Sequence, residues 1–414
     1  MHPLRPKKIF NDPVYGFVSI PSGTIFQIIE HPYFQRLRRI KQVGLTHYVY
    51  PGALHTRFQH ALGAFHLMTQ AIAVLRSKGV EITDEEAEGA SLAILLHDVG
   101  HGPFSHTLEH ALIEVAHEQL SRLIMEKLNR EFGGKLETAI RIFTNRHPKR
   151  FLHQLVSGQL DMDRMDYLTR DSFFTGVYEG VIGYDRIIKM LAVHDDQLVV
   201  EEKGIYSIEK FLVARRLMYW QVYLHKAVLA AEQMLIRALR RAVELTSRGE
   251  RLPASDSLQY FLGHRVVADD FETRADELFH HFTALDDLDI GMAMKTWSRA
   301  DDPVLAYLCR GLVDRRLFKL ELANHPFDAA YYDDLKERAI RLLDCDEEAG
   351  SFLVFQGTET NSAYSTSKDE IRILYKNGRV LPMSTISEHG ISSKLVTKHY
   401  LAYPKELFRS GDDS

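Results

Sequence analysis

Residues 95–111 read LLHDVGHGPFSHTLEHA. The apolar run Ala93-Ile94-Leu95-Leu96 leads straight into the adjacent pair His97-Asp98, and His101, His106, Glu109 and His110 follow. A buried helix that ends in a His-Asp pair offers one imidazole nitrogen and one carboxylate oxygen to a single ion. These donors suit a divalent metal such as Mn, Mg, Fe, Zn or Ni, whose identity they leave open. So many imidazoles and carboxylates directly after an apolar run have little structural use unless they bind a metal.

Working outward, helical periodicity dominates. Phe58, Leu62, Phe65, Met68, Ile72 and Leu75 recur at steps of three and four, and Gly79 supplies a stop. Thr83-Asp84-Glu85-Glu86 is a capping-box signature opening the helix that runs into His97-Asp98. A further helix is predicted over 117–132, ended by Gly133-Gly134. One uninterrupted helix is predicted from Ile208 to Ser247, since that stretch holds no Gly or Pro. Strand-like text is sparse. Met190–Val193 and Leu198–Glu201 flank Asp195-Asp196 as a hairpin, and the tail reads as strands at 352–355, 371–375 and 380–381 around Asn377-Gly378. Before the first of these helices, Arg57 lies one turn ahead of His60, a candidate ligand. His66, His110, His153 and His194 have no partner at metal-ligand spacing and read as packing or surface residues.

Two polar stripes fall where a core face is usual. Asp163, Tyr167, Arg170 and Asp171 share one helix face, as do Arg215, Tyr219, Tyr223 and Lys226. Charged stripes are most often solvated, but tyrosines among Arg and Asp beside apolar residues point to a half-buried polar pocket.

Composition excludes several classes. With 45% hydrophobic and 26% charged residues, the 414-residue chain reads as a globular protein with a sizeable core. A net charge of −5 argues against broad electrostatic coating of nucleic acid, while leaving room for a local basic pocket. The basic run Arg36, Arg38, Arg39, Lys41 is the one candidate for weak nucleic-acid or effector binding, against a solvated basic helix face as the plain reading. Cys309 and Cys345 stand far apart and are expected to be free thiols. The N-terminus lacks an apolar leader and no apolar run would span a bilayer, so a cytoplasmic chain with no membrane association is expected.

His60, His97-Asp98 and Asp163 form an H…HD…D pattern, and the likeness goes further. The segments IFNDPVYGFV (9–18), FQRLRRIKQVG (34–44), YPGALHTRFQHALG (50–63), LLHDVGHGPFSHTLEH (95–110) and LDMDRMDYLTRD (160–171) together resemble the HD-domain deoxynucleoside triphosphate triphosphohydrolases. That family includes bacterial dNTPases and the mammalian dNTPase with an added sterile-alpha-motif domain. The likeness begins near Lys8, with no text for such a domain, and fades after about residue 235. The resemblance implies a mainly α fold with an HD helical bundle over residues 1–250, and the sequence pattern beyond it gives a helical accessory region over 251–345 and a small mixed α/β region over 346–414.

It also implies roles. His60, His97, Asp98 and Asp163 would ligate the divalent ion. His106 with Glu109, and His117, would be catalytic, while His101 and Arg57 would meet the α-phosphate. Arg164, Tyr167 and Arg215 would hold the triphosphate of a dNTP, Arg164 standing where the mammalian relative has Lys. Gln42 and Asp171 would bind the 3′-OH, and Tyr223 would crowd out ribose. The implied reaction is attack of water at the α-phosphorus with release of inorganic triphosphate. Relatives assemble as homodimers or homotetramers with regulatory nucleotides at their interfaces. Gln35 and Arg38 lie in a block resembling such a site, and Glu30 replaces its Asp. Other HD proteins hydrolyse cyclic dinucleotides, alarmones or nucleoside monophosphates, and a nucleotide-sensing role is the alternative outside enzymes.

Overall fold

The computed structural model describes residues 8–104, 111–361, 370–386 and 396–408, with the side chains of Glu272 and Asn361 left aside. The fold is mainly helical with a few small sheets. The principal helices are α1 (Arg57–Ser77), α2 (Asp84–Leu96), α3 (His117–Glu131) and α4 (Met162–Thr175), followed by α5 (Ile205–Met218), α6 (Lys226–Ser247) and α7 (Asp287–Trp297). One contiguous apolar core runs from Val18 to Leu407.

Local signals set the helix ends. At the start of α2, the Thr83 hydroxyl accepts from the Glu86 amide (3.2 Å) while the Glu86 carboxylate accepts from the Thr83 amide (2.8 Å), which is the expected capping box. Every residue of α2 from Gly89 to Leu96 is buried, so the helix plunges through the core before delivering His97. In α1 the predicted apolar set is buried, and Gly79 ends the helix at a positive φ of 85°. Gly133 and Gly134 close α3 in the same way.

The expected hairpin forms as β3 (Leu191–His194) and β4 (Gln197–Glu201), turning through Asp195 and Asp196 in the left-handed region. Its companions come from the far end of the chain: β7 (Arg372–Leu374) adds parallel to β4, and β8 (Val380–Pro382) pairs with β7. A second sheet joins β5 (Lys319–Ala323), β9 (Val396–Tyr403) and β6 (Phe355–Asn361) in that spatial order, all antiparallel. Near the N-terminus, β1 (Lys8–Asp12) and β2 (Gly16–Ile20) form a hairpin absent from the sequence reading.

Three expectations are corrected. The helix over 208–247 is broken: a π turn at Tyr219–Tyr223 separates α5 from α6, and His225 starts the new helix by accepting from the Ala227 amide. No Gly or Pro marks this break, because a π turn is a registry change that packing selects. The strand expected at 352–355 starts at Phe355 and runs on to Asn361. Finally, the basic run is a solvated face only in part: Arg38 and Arg39 are exposed, but Arg36 is not. Arg36 is buried and donates to the carbonyls of Leu285 (3.0 Å), Val99 (3.3 Å) and His101 (2.7 Å). Arg39 and Lys41 pair with Asp286 and Asp287 at the start of α7, and Arg38 covers the ring of Phe58. The neutralising acids lie some 250 residues downstream, out of reach of any local pattern.

Candidate metal centre and cavity

Three elements deliver the donor atoms. His60 comes from α1, His97 and Asp98 from the end of α2, and Asp163 from the first turn of α4. His97 Nδ1 donates to the Ile94 carbonyl at 2.6 Å, and His60 Nδ1 donates to the Asp166 carboxylate at 2.7 Å. Each imidazole therefore turns its Nε2 inward, with the tautomer fixed from behind. His60 Nε2 lies 3.4 Å from His97 Nε2 and 3.2 Å from Asp163 Oδ1, and His97 Nε2 lies 3.5 Å from the same oxygen. Asp98 reaches to 3.4 Å from His97 Nε2 and 3.7 Å from His60 Nε2. Donors each about 2.1 Å from one ion stand roughly 3.0–3.5 Å apart, so this set fits a single divalent metal.

Charge agrees with geometry. Burial penalises the Asp163 carboxyl, yet His60 and His97 hold it far below the usual carboxylate range. Burial likewise opposes ionisation of Asp98, but His97, Arg57 and His101 keep it well below its ordinary value. For His60, burial lowers and the Asp163 and Asp166 carboxylates raise, leaving it near 10. A divalent cation would match the negative charge that these carboxylates bring together.

The cluster opens onto a cavity of about 640 Å³. Arg57, Asp98, His101, His117, Asp163 and Arg164 line its metal end, and Gln42, Tyr167, Asp171, Tyr219 and Tyr223 line its middle. His101 and His117 stack with ring centroids 3.8 Å apart, and burial, then the Arg57 charge, keep His101 neutral. Asp98, His101 and His117 form a second convergent group of donors beside the first. The sequence-predicted residues His106, Glu109 and His110 lie outside the described residues.

A model of the HD domain matches residues 57–171, and one of the HD associated region matches residues 182–265. A solved phosphohydrolase from Bacteroides thetaiotaomicron superposes with a TM-score of 0.93 at 51% identity, covering 96% of this chain and all of that one. The chain belongs to the HD-domain phosphohydrolases. An uncharacterized Bacillus subtilis protein is 31% identical over 99% of this chain and 94% of its own length. The human deoxynucleoside triphosphate triphosphohydrolase SAMHD1 is 29% identical over 58% of this chain, and the matched part is 46% of that protein. The chain thus spans about half the length of that relative.

Within this HD phosphohydrolase, several site features escaped the sequence. Asp166 is fully buried and binds three groups: His60 at 2.7 Å and two Arg170 nitrogens at 2.9 and 3.0 Å. Arg170 also donates to Asp12 in the N-terminal hairpin at 2.8 Å. Arg170 therefore leaves the predicted stripe: Asp163, Tyr167 and Asp171 border the cavity, while Arg170 turns away into this buried network. Asp171 is held on both oxygens, by His55 Nε2 and by the Tyr223 hydroxyl, each at 2.7 Å. His55 itself stacks on Phe174.

The second predicted stripe is split by the π turn. Tyr219 and Tyr223 border the cavity, Lys226 is exposed, and Arg215 stands behind, donating to Gln159 at 3.1 Å. Arg164 pairs with Asp161, which also caps α4 by accepting from the Arg164 amide. As expected, His66 packs on Tyr15 and His153 holds the Ile142 carbonyl. Both cysteines are free, and no described helix is long and apolar enough to cross a membrane.

Proposed function

We propose that this chain hydrolyses deoxynucleoside triphosphates to deoxynucleoside and inorganic triphosphate. The observation that carries the reading is one continuous cavity that joins a divalent-metal donor set to a Tyr223–Asp171–His55 assembly able to grip a sugar. The relatives named as dNTPases support the same substrate class.

His60, His97, Asp98 and Asp163 would hold the ion, which when bound supplies positive charge beside a phosphate and makes water more acidic. Arg57, poised on Asp98, and Arg164, poised on Asp161, present guanidinium groups to phosphate oxygens, with Arg215 and Tyr167 supporting them from behind and beside. Neutral His101 donates a hydrogen bond to the α-phosphate without adding charge. Attack by water at the α-phosphorus breaks its bond to the sugar 5′-oxygen, which needs a proton. His106 with Glu109, and His117, are assigned to proton transfer. Gln42 and Asp171 bind the 3′-OH, and the Tyr223 ring fills the space a 2′-OH would need.

The test is product analysis on the four dNTPs and GTP with Mn²⁺, Mg²⁺ or Fe²⁺, against an Asp163→Ala control. Deoxynucleoside and intact triphosphate, lost in the control, are expected. Absence of triphosphate from every dNTP and dNTP pair would assign the centre to another phosphoester.

A further inference from the structure

The cavity lining holds more residues than those assigned to phosphate and sugar. It follows α6, where Leu229, Glu232, Gln233 and Ile236 recur on one face at helical steps. That face is about 10 Å long at 1.5 Å per residue. Gly44 and Phe104 also line the cavity, and a Cβ on Gly44 would sit 3.6 Å from a Glu232 carboxylate oxygen. Glu359 of β6 borders the same end.

No hydrogen bond or ion pair joins the Glu232 or Glu359 carboxyl to any described residue. Burial, then repulsion from Glu359, pushes Glu232 up to about 8, and burial raises Glu359 too. Among the described lining residues, Glu359 is the titratable group facing Glu232. Tyr400 stands beside Glu359, with Arg237 and Arg240 near it. Both side chains are half-buried, and a desolvated acid without a counter-charge costs stability; such groups are retained where a ligand completes them.

A nucleotide with its phosphates at the metal end and its sugar at Asp171 and Tyr223 has its base in this half. We infer that Glu232, with Glu359 as a second acceptor, reads the base: it favours amino-bearing edges, guanine first, then adenine and cytosine, and disfavours thymine. Guanine offers two adjacent donors, N1–H and N2–H₂, which match both oxygens of a carboxylate, so its binding favours the ionised form of Glu232 over the protonated one. Adenine and cytosine offer one amino group each. Thymine offers a single N–H between two carbonyls, which a carboxylate repels. The inference rests on the proposed dNTPase reading.

The experiment supplies all four dNTPs in one mixture, so that activation by any nucleotide acts on all, and measures their relative consumption. In parallel, equilibrium binding of dGTP and dTTP is measured in EDTA, where metal-dependent turnover is absent. The wild-type chain is expected to prefer dGTP over dTTP by about 10- to 100-fold, the discrimination a bidentate pair to a base edge provides. Glu232→Gln, which keeps the shape but offers one donor and one acceptor, should collapse that ratio to within about 3-fold, and Glu232→Ala should do the same. A ratio unchanged in both variants, or a wild-type preference for dTTP, would overturn the inference. Failure of all dNTP turnover while the dGTP preference in binding persists would overturn the hydrolytic reading and leave base recognition standing.

Discussion

Gly63→Ala should destabilise the protein, although Gly63 lies inside a 21-residue helix where that change ordinarily stabilises by about 1 kcal/mol. A Cβ at this position would meet Asp166 Oδ1 at 2.0 Å, Arg170 Nη2 at 2.2 Å and Asp166 Cγ at 2.8 Å. Neither side chain is a flexible surface group. Both are fully buried and tied to each other, to His60 and to Asp12 by hydrogen bonds of 2.7–3.0 Å. Making room requires a shift of about 1 Å, which breaks at least one Arg170–Asp166 contact. Separating a buried ion pair costs about 3–5 kcal/mol, so after the helix gain the net loss is about 2–4 kcal/mol. His60 should also lose its orientation, lowering metal affinity by about 10- to 100-fold. Urea unfolding at matched metal content and a chelator-competition titration measure the two effects. A Gly63→Ala protein as stable as the wild type would refute the claim that this helix contact is filled by the Asp166–Arg170 pair.

Tyr223→Ala should raise hydrolysis of ribonucleotides relative to deoxynucleotides by about 10-fold or more, since it removes the ring proposed to crowd the 2′ position; paired assays on dNTP and NTP test this, and an unmoved ratio would sink it. Glu232 has a folded-state value near 8 against an ordinary 4.5, so between those pH values the unfolded chain releases a proton the folded chain keeps. Its contribution to stability therefore falls as pH rises from 4.5 to 8 and levels off above. Unfolding measured at pH 5.5 and 8 should show Glu232→Gln gaining on the wild type by about 2–3 kcal/mol, and no change in the difference would count against the buried carboxyl. Gly100→Ala would drive a Cβ to 2.3 Å from the His117 carbonyl and the Ser121 amide, both backbone. A loss of about 2 kcal/mol and slower turnover are expected from overpacking and displacement of His117; a thermal melt and initial rates decide it.

Sequence by itself determined the elements whose cause is local. Apolar spacing placed α1, Gly133-Gly134 placed the end of α3, the Thr83–Glu86 box placed the start of α2, and Asp195-Asp196 placed the β3–β4 turn, because each signal is complete within a few residues. The His-Asp pair after a buried run pointed to a candidate metal centre for the same reason: His60, His97 and Asp163 form a group that could hold an ion, with Asp98 beside it. Only the tertiary structure decided what depends on distant partners. Asp166 and Asp163 look alike in LDMDRMDYLTRD, yet one faces the cavity while the other orients His60 and binds an arginine that also reaches Asp12. Arg36 reads as surface charge until Leu285, Val99 and His101 bring their carbonyls to it. Glu232 and Glu359 border the same cavity only because the sheet that carries β6 docks on α6 through β5. Pairing energy between segments a hundred or more residues apart leaves no periodicity in either segment, so the chain encodes the helices legibly and the connections between them only in the folded state.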